Sequence, residues 1–200
     1  LGDVYKRQLY AGVKDVRILD GGWKAWSDAS LPVERGTPAK VKPAPDFGAP
    51  IPGQPRLMVD MEQARGMLHR LDASLVSIRS WPEFIGETSG YSYIKPKGEI
   101  AGARWGHAGS DATHMEDFHN PDGTMRSADD TAAMWKTWNI LPEQHVAFYC
   151  GTGWRASEAF MYARAMGWQN VAVYDGGWYE WSSHPQNPVS TGERGPESAR

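Results

Sequence analysis

The sequence predicts an α/β protein: a doubly wound parallel sheet with helices on both faces, preceded by the tail of a second copy of the same domain. Two observations carry that expectation. From Leu57 onward, short runs rich in β-branched and aromatic residues alternate with segments of helical periodicity, an order that lays successive strands parallel with helices packed over them. In addition, the stretch Gly12–Ser27 (GVKDVRILDGGWKAWS) recurs without a gap as Gly167–Ser182 (GWQNVAVYDGGWYEWS). Gly12/Gly167, Val16/Val171, Asp20/Asp175, Gly21/Gly176, Gly22/Gly177, Trp23/Trp178, Trp26/Trp181 and Ser27/Ser182 are identical, which marks two copies of one domain type.

Residues 1–35 are the end of the upstream copy, represented by its last strand and closing helix. Leu1–Gln8 lacks the apolar periodicity of a helix leading into Gly12, which leaves the native status of residues 1–8 open. Residues 36–55 form a linker in which Pro38, Pro43, Pro45, Pro50, Pro52 and Pro55 oppose regular structure. The complete domain occupies residues 56–192, followed by a tail at 193–200. Within it, Asp60 and Gln63 form a capping-box signature ahead of Ala64, Leu68 and Leu71 on one helical face. Leu75–Ile78 is a short strand. Ser127 with Asp130 caps a helix carrying Met134, Trp135 and Trp138, and Val146–Tyr149 is a buried strand ending at Cys150. Ala159, Phe160, Ala163 and Met166 continue a helix from Ala156 that stops at Gly167, before a strand at Val171–Tyr174.

Composition narrows the function. With a net charge of -3 and no dense Lys/Arg run, the chain offers no broad cationic surface, so nucleic acid and anionic membrane are not expected partners. No apolar run reaches the roughly 18 to 20 residues of a transmembrane helix. The single cysteine excludes an internal disulfide, a Cys-x-x-Cys couple and a thiolate-rich zinc site. His107, His114 and His119 with Glu116 invite a metal reading, but His114 and His119 are five apart and off one helical face, so no metal is expected.

The chemistry centres on Cys150-Gly151-Thr152-Gly153-Trp154-Arg155, which joins a buried strand to a helix. In parallel α/β sheets, ligands bind beyond the carboxyl ends of the strands, and the loop lies there. Its glycines allow successive N–H groups to curl inward as an anion cradle. Those amides, the helix N-terminus and the Arg155 guanidinium favour a thiolate nucleophile and hold an anionic substrate. Thr152 adds a hydroxyl donor, and Trp154 is expected to wall the entrance. Arg79 and Arg104 are secondary candidates for anion guidance, each equally readable as a salt-bridge partner. Trp23, Trp26, Trp178 and Trp181 recur with the repeat and are assigned to packing.

These residues resemble rhodanese-like sulfurtransferases, whose active loop is a six-residue arc opening on the nucleophilic cysteine. Leu75-Val76-Ser77-Ile78-Arg79-Ser80 is similar to the family's Leu-Val-Asp-x-Arg-Ser. Glu83-Phe84, Gly98-Glu99-Ile100-Ala101-Gly102-Ala103 and Asp175-Gly176-Gly177-Trp178 match further family segments. The resemblance implies a rhodanese-like fold and a cofactor-free transfer: Cys150 takes the sulfane sulfur of thiosulfate or mercaptopyruvate as a persulfide and passes it to a thiol or cyanide. It is nearest to tandem multi-domain members of the bacterial periplasm whose last domain carries the cysteine. That implies a periplasmic location and packing of the complete domain against its own upstream rhodanese-like domain.

There are departures from the family pattern. Ser77 stands where most members have Asp, which removes the expected partner of Arg79, and Glu83 occupies a position where some relatives carry a substrate-binding Arg. The Gly-Thr-Gly loop interior is closer to mercaptopyruvate-type loops, while Trp154-Arg155 fits neither donor class. Two rival functions share some of these features. Cysteine phosphatases use a similar loop but usually place five residues between Cys and Arg, against four here. A non-catalytic interaction module is the other, opposed by the retention of Cys150, Arg155 and the loop glycines.

Overall fold

The computed structural model describes residues 2–198. Its helices are α1 (Gly2–Ala11), α2 (Gly22–Asp28), α3 (Met61–Met67), α4 (Trp81–Phe84), α5 (Ala128–Lys136), α6 (Trp154–Ala165) and α7 (Gly177–Ser182). The strands are β1 (Met58–Val59), β2 (Ala73–Ser77), β3 (Glu99–Ile100), β4 (Arg104–Trp105), β5 (His145–Tyr149), β6 (Val171–Tyr174) and β7 (Val189–Ser190). Five strands form one sheet in the order β1-β6-β5-β2-β4, every pairing parallel, while β3 and β7 make a separate antiparallel pair.

Strand alternation explains why helices cover both faces. Val146 and Phe148 of β5, Val76 of β2, and Val171 and Val173 of β6 point into one core with Ala156, Ala159, Phe160 and Ala163 of α6 and Trp135 of α5. The intervening Ala147, Tyr149, Leu75, Ala172 and Tyr174 enter the other core with Ala64 and Met67 of α3 and Trp178 and Trp181 of α7. The doubly wound α/β expectation therefore matches the sheet, and β5 runs at its centre.

Local signals behave as their chemistry dictates. Asp60 accepts the Gln63 N–H at 2.8 Å while the Gln63 side chain accepts the Asp60 N–H at 2.9 Å, the reciprocal capping box that starts α3. Ser127 accepts the Asp130 N–H at 3.1 Å to start α5. The helix of α3 ends sooner than its apolar spacing implies. Leu68, His69 and Arg70 donate three residues back to Arg65, Gly66 and Met67, and this tightening turns Leu71 out to full exposure.

Two expectations for the N-terminal segment need correction. Residues 2–11 are helical despite their weak periodicity: Leu9 and Lys6 are buried, and Lys6 pairs with Asp3 and Asp175. The upstream copy's last strand does not form, because residues 13–20 have no neighbouring strand to supply hydrogen bonds, although its closing helix is present as α2. That helix still shows its kinship. Gly22 and Gly177 have φ of 55° and 53°, but Trp178 is buried where Trp23 is 66% exposed. Residues 36–54 contain no helix or strand.

Candidate active site

Cys150 sits directly after β5, buried at 1% exposure, with its side chain continuing the row of Val146 and Phe148. Two elements shape the loop behind it. The carbonyls of Cys150 and Gly151 are each held by α7, through the N–H groups of Trp178 at 2.8 Å and Tyr179 at 3.0 Å. Gly177 makes that approach possible: a Cβ there would lie 2.4 Å from the Cys150 carbonyl oxygen. Gly153, with φ of 84°, precedes α6, and its own carbonyl accepts the Ser157 hydroxyl at 2.5 Å. With the carbonyls so engaged, the N–H groups of Thr152 and Gly153 have no internal acceptor among the described residues. The loop thus turns its acceptors away and keeps its donors available.

Arg155 enters from the first turn of α6 and is buried. It does not stand free. Its two terminal nitrogens each donate to one Glu83 carboxylate oxygen at 2.9 Å, a forked pair. The same nitrogens also donate to the Asp111 carbonyl at 3.1 Å and the Tyr91 hydroxyl at 2.7 Å, while Nε has no partner among the described residues. Burial works against the charge, but Cys150 and Glu83 outweigh it and raise the guanidinium pKa further. Conversely, burial alone would raise the Glu83 pKa, and Arg155 with Arg79 brings it below the ordinary carboxylate value.

Tyr91 is the residue that sequence reasoning missed. Its hydroxyl accepts the Gly151 N–H at 3.2 Å as well as the Arg155 bond, and its ring lies so close that a Cβ on Gly151 would fall 2.3 Å from it. Burial, then the nearby Cys150, pushes its pKa up, so it remains a neutral phenol. Only the surrounding Ser89-Gly90-Tyr91-Ser92-Tyr93 stretch hinted at it, and nothing in that stretch is periodic. A cavity of about 600 Å³ adjoins the Arg155 partners, lined by Ser80, Thr88, Tyr91, Asp111 and Thr113 among others.

The two secondary arginines lie elsewhere. Arg79 is fully buried, donating to the Gly98 carbonyl at 2.7 Å and to Glu99 at 3.2 Å, with Glu83 at 3.4 Å and the Trp178 ring 5.1 Å away. Of the two readings open for Arg79, these contacts support the internal ion-pair partner, with both carboxylates buried beside it. The partner thought missing at Ser77 is supplied by Glu99, which accepts from Arg79, the Ser77 hydroxyl at 2.6 Å and the Tyr149 hydroxyl. Arg104 is likewise an internal partner. Its guanidinium donates to Ser74 at 2.7 Å, to Gln144 at 3.3 Å and to the Asn139 carbonyl, groups near the amino ends of β2 and β5 and so opposite Cys150. Trp154 is 67% exposed and forms a free surface rather than a closed wall. The three histidines have separate partners, His107 with Asp117, His114 with Asp111 and His119 with Glu158.

A parallel α/β sheet whose central strand delivers a cysteine into a glycine loop, with four residues between Cys150 and Arg155 where cysteine phosphatases usually have five, is the architecture expected of the rhodanese-like class. A family model for the rhodanese-like domain matches residues 60–184, and the chain belongs to that family. Over 192 residues it is 84% identical to the thiosulfate sulfurtransferase YnjE of Escherichia coli strain K12, covering 96% of this chain and 44% of that protein. It is 28% identical over 192 residues to a thiosulfate sulfurtransferase of Azotobacter vinelandii, covering 94% of this chain and 62% of that protein. The crystal structure of YnjE superposes with a TM-score of 0.97 at 81% identity, over 100% of this chain and 48% of that one. EanB in complex with hercynine superposes with a TM-score of 0.93 at 48% identity, over 96% of this chain and 45% of that one. The chain therefore spans about half the length of these structures.

Proposed function

We propose that this chain is a sulfurtransferase: the Cys150 sulfur attacks the outer sulfur of thiosulfate, or the thiol sulfur of mercaptopyruvate with its C–S bond breaking to release pyruvate, holds the sulfur as a persulfide, and yields it to a thiol or cyanide. The observation that carries this reading is the loop itself, in which α7 ties down the Cys150 and Gly151 carbonyls and the N–H groups of Thr152 and Gly153, next in the chain to a buried cysteine, are left without an internal acceptor among the described residues. With thiosulfate, the Sγ–S bond forms as the sulfur–sulfur bond of the donor breaks and its electron pair leaves with sulfite, so no cofactor is required. The N–H groups of Thr152 and Gly153 then supply donors to the anionic persulfide, that of Gly151 being taken by the Tyr91 hydroxyl, and Arg155 is held in place beside them by Glu83 and Tyr91. The names of the relatives support thiosulfate as donor.

The recurrence of Gly12–Ser27 supports a tandem-domain protein, with the exposed Trp23 side of α2 covered by further rhodanese-like structure. Periplasmic location is proposed on family resemblance. The test is intact mass after exposure to thiosulfate or mercaptopyruvate: one added sulfur on the wild type and none on Cys150→Ser supports the reading.

A second reading concerns the acceptor. Tyr91, Tyr93 and Tyr179 form a contiguous row, with ring centroids 5.5 and 6.3 Å apart, and Tyr93 and Tyr179 are exposed beside the loop. EanB structures contain hercynine or ergothioneine, one with a persulfide on cysteine, and the altered tyrosine in that structure lies 59 residues before that cysteine, as Tyr91 lies before Cys150. A flat imidazole acceptor suits such a row. Sulfur transfer from loaded protein to hercynine, compared with cyanide, tests it.

A further inference from the structure

Cys150 is the nucleophile of the reading above, yet it is only 1% exposed, so a donor reaches its sulfur only when a neighbouring group gives way. Most of its surroundings are fixed. The N–H groups of α7 hold the loop carbonyls, and Glu83 holds Arg155 at 2.9 Å on both arms. Tyr91 is the exception. It belongs to the stretch 85–98, which contains no helix or strand. From Gly90 to Tyr93 the backbone hydrogen-bonds only with Thr88, Ser89 and Lys95 among the described residues, so no bond to another element restrains it. Segments tied down so locally open at low cost. What fastens the Tyr91 side chain is its hydroxyl, which accepts the Gly151 N–H at 3.2 Å and an Arg155 N–H at 2.7 Å.

Those two groups are the kind of donors an oxyanion uses, a backbone N–H of the cysteine loop and an N–H of a buried guanidinium. The phenol oxygen occupies the place of an anion oxygen. On its outer side lies the cavity of about 600 Å³, where Ser80, Thr88, Ser110 and Thr113 offer hydroxyl partners to a displaced phenol. Gly90, with φ of 79°, is where the turn leaves its anchor, the Ser89 carbonyl held by Arg79 at 3.2 Å. We infer that Tyr91 is a gate over Cys150: the sulfonate of thiosulfate displaces its hydroxyl from Gly151 and Arg155, takes both donors, and sends the ring into the cavity as the outer sulfur meets Sγ. This deepens the sulfurtransferase reading and rests on it. Once the Sγ–S bond has formed and sulfite has left with the electron pair of the broken sulfur–sulfur bond, the hydroxyl returns to both donors. It therefore competes with thiosulfate during loading and holds Gly151 and Arg155 during discharge.

The experiment measures sulfur loading by time-resolved intact mass over a range of thiosulfate concentrations, and alkylation of Cys150 by iodoacetamide, a neutral reagent that needs no anion donors. Tyr91→Phe keeps the ring against Gly151 and removes only the competing oxygen. Its half-saturating thiosulfate concentration is expected to fall about tenfold, the effect of one hydrogen bond to a charged group that the donor no longer displaces. A tyrosine that merely props the loop would leave that concentration unchanged or raise it, and either result overturns the inference. Tyr91→Ala removes the ring as well, and alkylation of its Cys150 is expected to run about tenfold faster than in the wild type, because the same latch no longer closes the site. Alkylation of Tyr91→Ala at the wild-type rate also overturns the gate. Absence of added sulfur on every protein at every thiosulfate concentration instead overturns the sulfurtransferase reading beneath it, while alkylation still reports on the gate.

Discussion

Replacing Gly177 with Ala tests how the cysteine loop is held. The residue has φ of 53°, where a side chain costs roughly 1–2 kcal/mol. The added Cβ would also lie 2.4 Å from the Cys150 carbonyl oxygen and 2.8 Å from that of Gly151, so backbone on one side must retreat, at about 1–3 kcal/mol for an overpacked site. Together these give a loss of about 2–5 kcal/mol. The retreat also breaks the bonds from Trp178 and Tyr179 that hold the loop carbonyls, so sulfur loading of Cys150 falls with stability. Urea denaturation provides the assay, with a slope of about 1–3 kcal/mol per molar that converts the loss into a lowered midpoint. Gly66→Ala is the control, because Gly66 lies inside α3 with no atom within 4 Å of its Cβ position, and a gain of up to about 1 kcal/mol is expected there. A Gly177→Ala protein within about 0.5 kcal/mol of wild type, loading sulfur normally, refutes the argument.

Other predictions follow from the buried charges. Arg155→Ala strands the Glu83 carboxylate and should cost about 3–5 kcal/mol by urea denaturation, together with slower sulfur loading by mass. Tyr91→Phe keeps the ring against Gly151 but removes the acceptor for the Gly151 N–H and Arg155. Sulfur transfer to cyanide should fall about tenfold in stopped-flow, whereas unchanged rates would reduce the hydroxyl to packing. Because the Glu83 pKa is depressed on folding, its contribution is fully present above the unfolded carboxylate value near 4.5 and is lost as pH falls through the folded one. Denaturation between pH 3 and 7 should show that acid limb, shallower in Glu83→Gln; identical limbs would contradict the pairing.

The sheet was legible because each strand obeys a simple rule. Val146–Tyr149 of β5 and all of β6 are uninterrupted apolar and aromatic runs, as strands covered on both faces must be, and the caps at Asp60 and Ser127 announce their helices. Cys150 was legible for the same reason, standing where a buried strand meets a glycine turn. What escaped were contacts between distant segments. Tyr91 reaches Gly151 across 60 residues and Glu83 reaches Arg155 across 72, and no local pattern encodes either. The role of Arg79 stayed open in the sequence because its carboxylate lies at position 99 rather than 77, an exchange visible only once β2 and the β3 segment pack together. Residues 2–11 illustrate the reverse: a helix of weak periodicity forms because α6 offers it a surface.

The central claim is that Cys150 carries the sulfur. It is tested most directly by intact mass of reduced protein after exposure to a sulfane donor, followed by addition of cyanide. The account predicts one added sulfur on wild type, discharged by cyanide with thiocyanate released in equal amount, and none on Cys150→Ser. A wild type that stays unmodified, or a Cys150→Ser protein that gains the same sulfur, would contradict it.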